Sequence, residues 1–378
     1  MLRFNIFYEL YGVQNEVFCV ISHTKRNLLD MKDTFAKRLV NARKIRCMSQ
    51  RDLVARMEGK VSSTAIEKYE KAQMMPSSDV LIMLARVLGF KVDYFYRPFT
   101  VAIDADGFEF RKQASLGVKK VESIKHLVMA EIEKYLEVEG ILGVQPRFTL
   151  DYSNVMVECE DDAMALAMRI RKDWNIGLDG IASAIELLES NGVKIIEVEA
   201  DEKFSGTCNK AGQIPVIVIN KVMSAERKRM TIFHELGHLL MHFAQGVDEE
   251  KMCTVFASEV MIPKEKFMEI LGESRHDMSL IELQVVQREY GISVDALMAK
   301  AAQLNVITQR RYQSYYKKKN ALPQFKVAVE KSLVDDEHTN RFERLVYRAL
   351  ASEMISTSKA ASLLNCSVEC VRENLYLL

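Results

Sequence analysis

The chain has 378 residues, with 52 Lys and Arg balanced by 52 Asp and Glu, 48% hydrophobic and 28% charged content. A length of this order buries two or three cores, and no apolar run approaches the ~18 residues that span a bilayer, which excludes a membrane-spanning class and points to a soluble protein. Seven cysteines, an odd number scattered at 19, 47, 159, 208, 253, 366 and 370, argue against a disulfide framework and for a reducing cytoplasm.

Residues 1–30 contain Arg3, Glu9 and Glu16 without a clean hydrophobic stretch, so they do not form a secretion signal and are expected to be a poorly ordered extension. From residue 31 to residue 98 the periodicity predicts short amphipathic helices at Phe35–Arg46, Ser49–Met57, Ser62–Lys71 and Ser78–Leu88, with a turn at Val92–Tyr96. Ser49 with Asp52 forms a capping box, Ser62 and Ser77 or Ser78 are further caps, and Gly89 is a stop. Two short helices joined by Glu58-Gly59-Lys60-Val61 make a helix-turn-helix. In the helix from Ser62, Ile66 and Tyr69 face inward, which leaves Ser63, Thr64, Glu67, Lys68 and Lys71 outward, where they can meet base edges and phosphates. Charge agrees, since residues 31–98 carry 14 Lys and Arg against 7 Asp and Glu.

Met48-Ser-Gln-Arg-Asp-Leu-Val-Ala55 and Ile66-Glu-Lys-Tyr-Glu70 resemble the XRE (Cro-like, phage-repressor) helix-turn-helix family. The resemblance implies a DNA operator as partner of residues 31–98, with Gln50 holding a phosphate and Ser63, Thr64, Glu67 and Lys68 reading DNA. The turn is about two residues longer than the commonest form, which leaves the register of these contacts open. Because such heads read two half-sites, a homodimer is expected. The plainer reading is a helical bundle for protein contacts.

Residues 99–150 are expected to link two modules, with an extended pair of segments from Phe99 to Lys112 and a long charged helix from Val118 to Gly140. Residues 151–305 change character. Helices are predicted at Asp161–Trp174 and Gly180–Ser190, a sheet from Gly192 with strands Lys194–Val198 and Pro215–Asn220, and a helix from Ala225 to Phe243. Residues 151–266 carry 13 Lys and Arg against 20 Asp and Glu, so the neutral total conceals a basic head and an acidic body.

Within the last helix stands His234-Glu-Leu-Gly-His238. On a helix, positions i and i+4 share a face, so His234 and His238 can offer nitrogens to one Zn²⁺ while Glu235 addresses a metal-bound water as general base. A hydrolytic zinc wants three protein ligands and one open position. His242 lies eight residues beyond His234, about 12 Å along a continuous helix and too far to share the ion. After Gln245-Gly246 the chain can reverse, and a carboxylate from the first turn of the segment opening at Asp248-Glu249-Glu250 can fold back, with Glu250 preferred.

The stretch Glu226-Arg-Lys-Arg-Met-Thr-Ile-Phe-His-Glu-Leu-Gly-His-Leu-Leu-Met-His242, with Glu250-Lys-Met-Cys-Thr-Val-Phe-Ala-Ser-Glu-Val-Met-Ile-Pro263, resembles the ImmA/IrrE family of zinc metallo-endopeptidases. The family places a metal-binding Glu three residues before a small residue. Here Cys253 stands where Ala is usual, and counting back gives Glu250, with Glu249 as the possible substitute. Cys208, just ahead of the strand bordering the cleft, is a conceivable inhibitory thiolate. Helices Leu280–Tyr290 and Val294–Leu304, joined by Gly291-Ile-Ser293, complete this domain.

In residues 306–378 the basic and aromatic run Arg310-Arg-Tyr-Gln-Ser-Tyr-Tyr-Lys-Lys-Lys319 is taken as a solvated linker rather than a phosphate-tracking segment. Ser356–Leu364 and Val368–Leu375, joined by Asn365-Cys-Ser367, have the lengths of a second helix-turn-helix, read as a packing or interaction element. The expected fold is multidomain and mainly α, with an α+β zincin-like peptidase core, an N-terminal all-α helix-turn-helix bundle and a small C-terminal helical region. The expected function is a cytoplasmic, DNA-binding zinc endopeptidase with a protein substrate, a helix-turn-helix repressor or related regulator by resemblance. The alternative is an XRE-type transcriptional regulator or antitoxin-like repressor whose peptidase-like domain senses a signal and cleaves little.

Overall fold

The computed structural model describes residues 31–99, 117–144, 148, 155–211 and 214–376. Contacts divide the chain into two compact units, Met1–Ala102 with Gly117–Glu133, and Ile103–Leu116 with Lys134–Leu378. The extension at 1–30 and nearly all of the extended pair ending at Lys112 lie outside the described residues.

In the first unit, α1 covers 31–45, α2 Gln50–Arg56, α3 Ser63–Glu70 and α4 Ser78–Leu88, followed by a 3-10 turn at Val92–Tyr96. The helix starts are set locally. Ser49 accepts from the Asp52 amide while its own amide donates to the Asp52 carboxylate at 2.8 Å, and Ser62 accepts from the Ala65 amide at 3.1 Å. Gly89 ends α4 in the left-handed conformation. Phe35, Leu39, Leu53, Met57, Ile66, Tyr69, Leu84, Leu88 and Phe95 form the core. Arg43 ties α1 to α3 through the Glu70 carboxylate at 2.6 Å, and buried Arg38 pairs with buried Glu133 at 2.5 Å.

Helix α5 runs from Val118 to Ile141, its residues from Lys134 belonging to the second unit. The chain then forms β1 (Met156–Val157), α6 (Glu160–Asp173), α7 (Ala184–Ser190), β2 (Lys194–Val198), β3 (Gly206–Ala211), β4 (Ile214–Asn220), α8 (Ala225–Leu240), β5 (His242–Phe243) and α9 (Glu249–Met261). The unbroken apolar run of β4 is buried from Pro215 to Asn220 and takes the centre of a three-stranded sheet, with β2 parallel on one side and β3 antiparallel on the other. Helix α8 packs on β3, β4 and α9. Ile232, Phe233, Leu236 and Leu240 meet the Cys253, Phe256 and Ala257 side of α9 within one core.

Helix α8 ends at Leu240, short of the expected Phe243. Met241 turns extended, and β5 pairs in parallel with β1, the His242 amide donating to the Val155 carbonyl at 3.2 Å. The apolar pattern continues past Leu240, but the backbone finds its partners in a strand 85 or so residues earlier.

Helices α10 (Lys264–Leu271), α11 (Leu280–Tyr290), α12 (Val294–Gln303), α13 (Gln309–Ala321) and α14 (Pro323–Glu330) follow. The basic and aromatic run taken as a solvated linker is helix α13. Its Tyr315 is buried and donates to Asp295 at 2.7 Å, and Lys319 reaches the same carboxylate at 2.6 Å. The tyrosines recur at helical spacing and supply a core stripe, which leaves Lys317 and Lys318 on the outer faces.

Residues 332–339 form a strap over the start of α8. Ser332 and the Leu333 amide donate to buried Glu226, Lys228 donates to Glu197, Asp336 and the Glu337 carbonyl, and the Glu337 carboxylate lies 2.6 Å from Arg229. Glu337 also accepts from Ser183 and from the Ala184 and Ile185 amides, which supplies the first turn of α7 with an anion. Helices α15 (Arg341–Ala351), α16 (Thr357–Leu363) and α17 (Val368–Tyr376) then pack Leu345, Val346, Leu363 and Val371 against Tyr135 and Val138 of α5. The protein is α-rich and multidomain, with two small sheets among the described residues.

Candidate metal centre

Helix α8 carries His234 and His238 one turn apart, with ring centroids 4.9 Å from each other. The His238 side chain is 4% exposed and that of His234 21%. Helix α9 begins at the Asp248 cap, which accepts from the Lys251 amide at 3.1 Å. Its first turn sends Glu250 back to the histidines. One carboxylate oxygen lies 3.1 Å from His234 Nε2 and the other 3.3 Å from His238 Nε2. Thus the carboxylate that meets both rings belongs to Glu250.

Two glycines permit this approach. A Cβ on Gly237 would stand 2.9 Å from Met241 Cε, 3.1 Å from Phe256 Cδ1 and 3.3 Å from Cys253 Sγ, so α9 lies directly on the bare backbone between the histidines. A Cβ on Gly206 would meet Thr231 Cγ2 at 2.6 Å and the Val218 carbonyl at 2.9 Å, and would touch Glu235 Cγ at 3.6 Å. Strand β3 therefore passes close over the half-buried general-base candidate.

Thr254 sets the state of His234. Its hydroxyl donates to the Glu250 carbonyl at 2.8 Å and lies 3.3 Å from His234 Nδ1. While its proton is given to the Glu250 carbonyl, the hydroxyl serves Nδ1 only as an acceptor, and the matching tautomer carries its hydrogen on Nδ1 and leaves the Nε2 lone pair free for a metal. Burial holds this imidazole below its ordinary range, against the opposing pull of Glu250. In that tautomer the Nε2 lone pair faces a carboxylate oxygen at 3.1 Å, and a cation between them, or a proton on Nε2, stabilises the pair. Tetrahedral zinc with bonds of ~2.0–2.1 Å separates its ligand atoms by roughly 3.3 Å, which matches the two nitrogen-to-oxygen distances. The donor set fits a divalent metal.

The cysteine gathered with the histidines is Cys253, not Cys208. Its Sγ and a nitrogen of each ring all lie within 4.8 Å of one another, whereas Cys208 is buried in β3 opposite Ile217. Thr254 was not anticipated, although its place four residues after Glu250 puts both on one helical face. Gly206 and Gly237 carry no signal in one sequence that separates them from ordinary glycines.

In the first unit, Ser63, Thr64, Glu67 and Lys68 are all exposed on one side of α3. Glu67 accepts from Lys71 at 2.6 Å. Gln50 is half-buried and donates to Glu70 at 2.7 Å, so its amide is engaged inside the protein, where the resemblance placed a phosphate contact. Among the described residues no helix is long and apolar enough to cross a membrane.

No curated protein matches the chain. Residues 188–301 match the family of IrrE N-terminal-like domains, Peptidase M78, and the matched stretch runs from the end of α7 through α12, taking in both histidines, Glu235, Glu250, Cys253 and Thr254. The segment that builds the centre is therefore similar to a metallopeptidase-like domain of regulatory type.

Proposed function

We propose that the protein is a zinc-dependent endopeptidase with a DNA-binding head, acting on transcription by cutting a helix-turn-helix repressor or a related regulatory protein. The observation that carries the peptidase reading is the Glu250 carboxylate reaching Nε2 of both histidines of a His-Glu-x-x-His helix, at 3.1 and 3.3 Å. The match of residues 188–301 to the Peptidase M78 family supports the same chemistry.

His234, His238 and Glu250 would hold the metal, and Thr254 keeps His234 in the tautomer that can bind it. When bound, zinc supplies a Lewis acid and an acidified water near neutral pH. Glu235 takes the proton of the attacking water and returns it to the leaving amine, a role suited to a carboxylate next to a ligand and outside the ligand set. The bare Gly206 backbone lets β3 lie close against Thr231 and Glu235 of α8.

The DNA reading rests on the exposed face of α3 and the charge surplus of residues 31–98. A head of this kind binds phosphates through Lys and Arg and reads bases from the helix face, as a homodimer on two half-sites. The test incubates zinc-loaded full-length protein with candidate repressors of the helix-turn-helix kind. Cleavage by the wild type and none by Glu235→Gln is the expected result. Tight operator binding with no cleavage of any substrate would favour the alternative, a transcriptional regulator whose peptidase-like domain is a sensor.

A further inference from the structure

The histidines have a second neighbour that the three-ligand scheme does not use. Cys253 sits one turn beyond Glu250 on the same face of α9, is fully buried, and takes part in no disulfide. Its sulfur is 3.3 Å from where a Gly237 Cβ would stand, so it rests against the α8 backbone between the two ligating histidines. Sulfur and one nitrogen from each ring fall within 4.8 Å of one another. A tetrahedral ion with a zinc-to-sulfur bond of ~2.3 Å needs sulfur and nitrogen about 3.5 Å apart, so side-chain movement of roughly 1 Å closes the set.

We propose that Cys253 binds the metal as a thiolate, a fourth protein ligand beside His234, His238 and Glu250, and that the resting centre is thereby closed. The inference rests on the metal-centre reading above and deepens it. Two neutral imidazoles and one carboxylate leave a divalent ion with net charge +1 against an apolar core. A thiolate brings the centre to zero, which lowers the cost of burying it. The exchange is balanced: the S–H bond breaks, a sulfur-to-metal bond forms, and the proton leaves to solvent, with no change of oxidation state.

Four protein ligands mark a closed site, and three with one open position a hydrolytic one. The closed centre is latent, and one ligand must leave before water can bind. His238 and Cys253 are held in the core. Glu250, 75% exposed, is the ligand that solvent or a bound substrate can reach. In a chain whose Cys253 stands where the resembled family commonly has Ala, this sets a gate on the enzyme within the coordination sphere.

Cobalt(II) substituted into the full-length protein reports the ligands directly. The wild type is expected to show visible ligand-field bands together with an intense near-ultraviolet sulfur-to-cobalt charge-transfer band. Cys253→Ala should lose the charge-transfer band and keep the visible ones, and Cys208→Ala should keep both. Visible bands without a charge-transfer band in the wild type, or a charge-transfer band that survives Cys253→Ala, would overturn the proposal while leaving the His234, His238 and Glu250 site standing. Absence of any cobalt spectrum would overturn both. If Cys253→Ala fails to fold, the wild-type spectrum still decides.

Discussion

The Thr254 hydroxyl shows how much a single side chain determines here. It joins the Glu250 carbonyl to His234 Nδ1, so one group spans two candidate ligands on two helices. Partners of this kind typically contribute 10- to 100-fold in metal affinity. Thr254→Val is therefore expected to weaken zinc binding by about 10-fold or more with the helical signal unchanged, and Thr254→Ser to restore it. Chelator competition measures both, and equal affinity in Thr254→Val would remove the tautomer argument. A second histidine carries a pH prediction for the first unit. His126 lies 2.9 Å from Asn41 Oδ1, and burial holds its imidazole below the ordinary 6.5, with Glu122 pulling the other way. As pH falls, the unfolded chain takes up this proton before the folded one does. The contribution is thus fully present above about pH 6.5 and is lost as pH falls below it. Urea unfolding at pH 7.5 and 5.5 should show a smaller acid loss in His126→Gln than in the wild type.

At the scale of elements, the pairing of α8 with α9 makes the centre, and the strap at 332–339 holds the start of α8. Glu337 is 2% exposed, pairs with the Arg229 guanidinium and accepts from Ser183 and two amides of α7. Glu337→Ala leaves the Arg229 guanidinium buried without its carboxylate, a change that costs about 3–5 kcal/mol. A fall of that size in urea-derived stability is expected, and a loss under 1 kcal/mol would show the strap to be dispensable. None of these pairs was legible in the sequence, because Arg229 and Glu337 are 108 positions apart and each is an ordinary charged residue until the fold joins them. What was legible is local. Ser49, Asp52, Ser62 and Gly89 mark helix ends that the structure places within a residue, and the apolar run Pro215–Asn220 is β4. Strand β3 escaped because Gly206-Thr-Cys-Asn-Lys-Ala211 lacks an apolar alternation and is held by β4 instead. Helix α13 was misjudged because its charge obscured three tyrosines at core spacing. Among candidate site residues, His234, Glu235 and His238 were legible from fixed helical geometry, and Glu250 from its place in the next helix. Thr254 and Cys253 required the angle at which α9 crosses Gly237.

For the whole molecule, a net charge of zero conceals a basic segment at 31–98 and an acidic one at 151–266 that carries the candidate metal centre. The head's face on α3 makes one prediction that metal content does not share. Lys68→Ala should weaken binding to an operator and flatten its dependence on salt by about one unit of slope, as expected for one lost phosphate contact. Its zinc content should stay at the wild-type level. Titrations of a labelled operator across salt concentrations provide the slope, and an unchanged slope would place the DNA contacts elsewhere on the head.

The central claim is that α8 and α9 together hold a metal. Elemental analysis of zinc in the purified full-length wild type, the Glu235→Gln variant and the His234→Ala/His238→Ala double variant tests it most directly. About one zinc per chain is expected in the first two and almost none in the third. Equal zinc in all three, or none in the wild type after reconstitution, would contradict it.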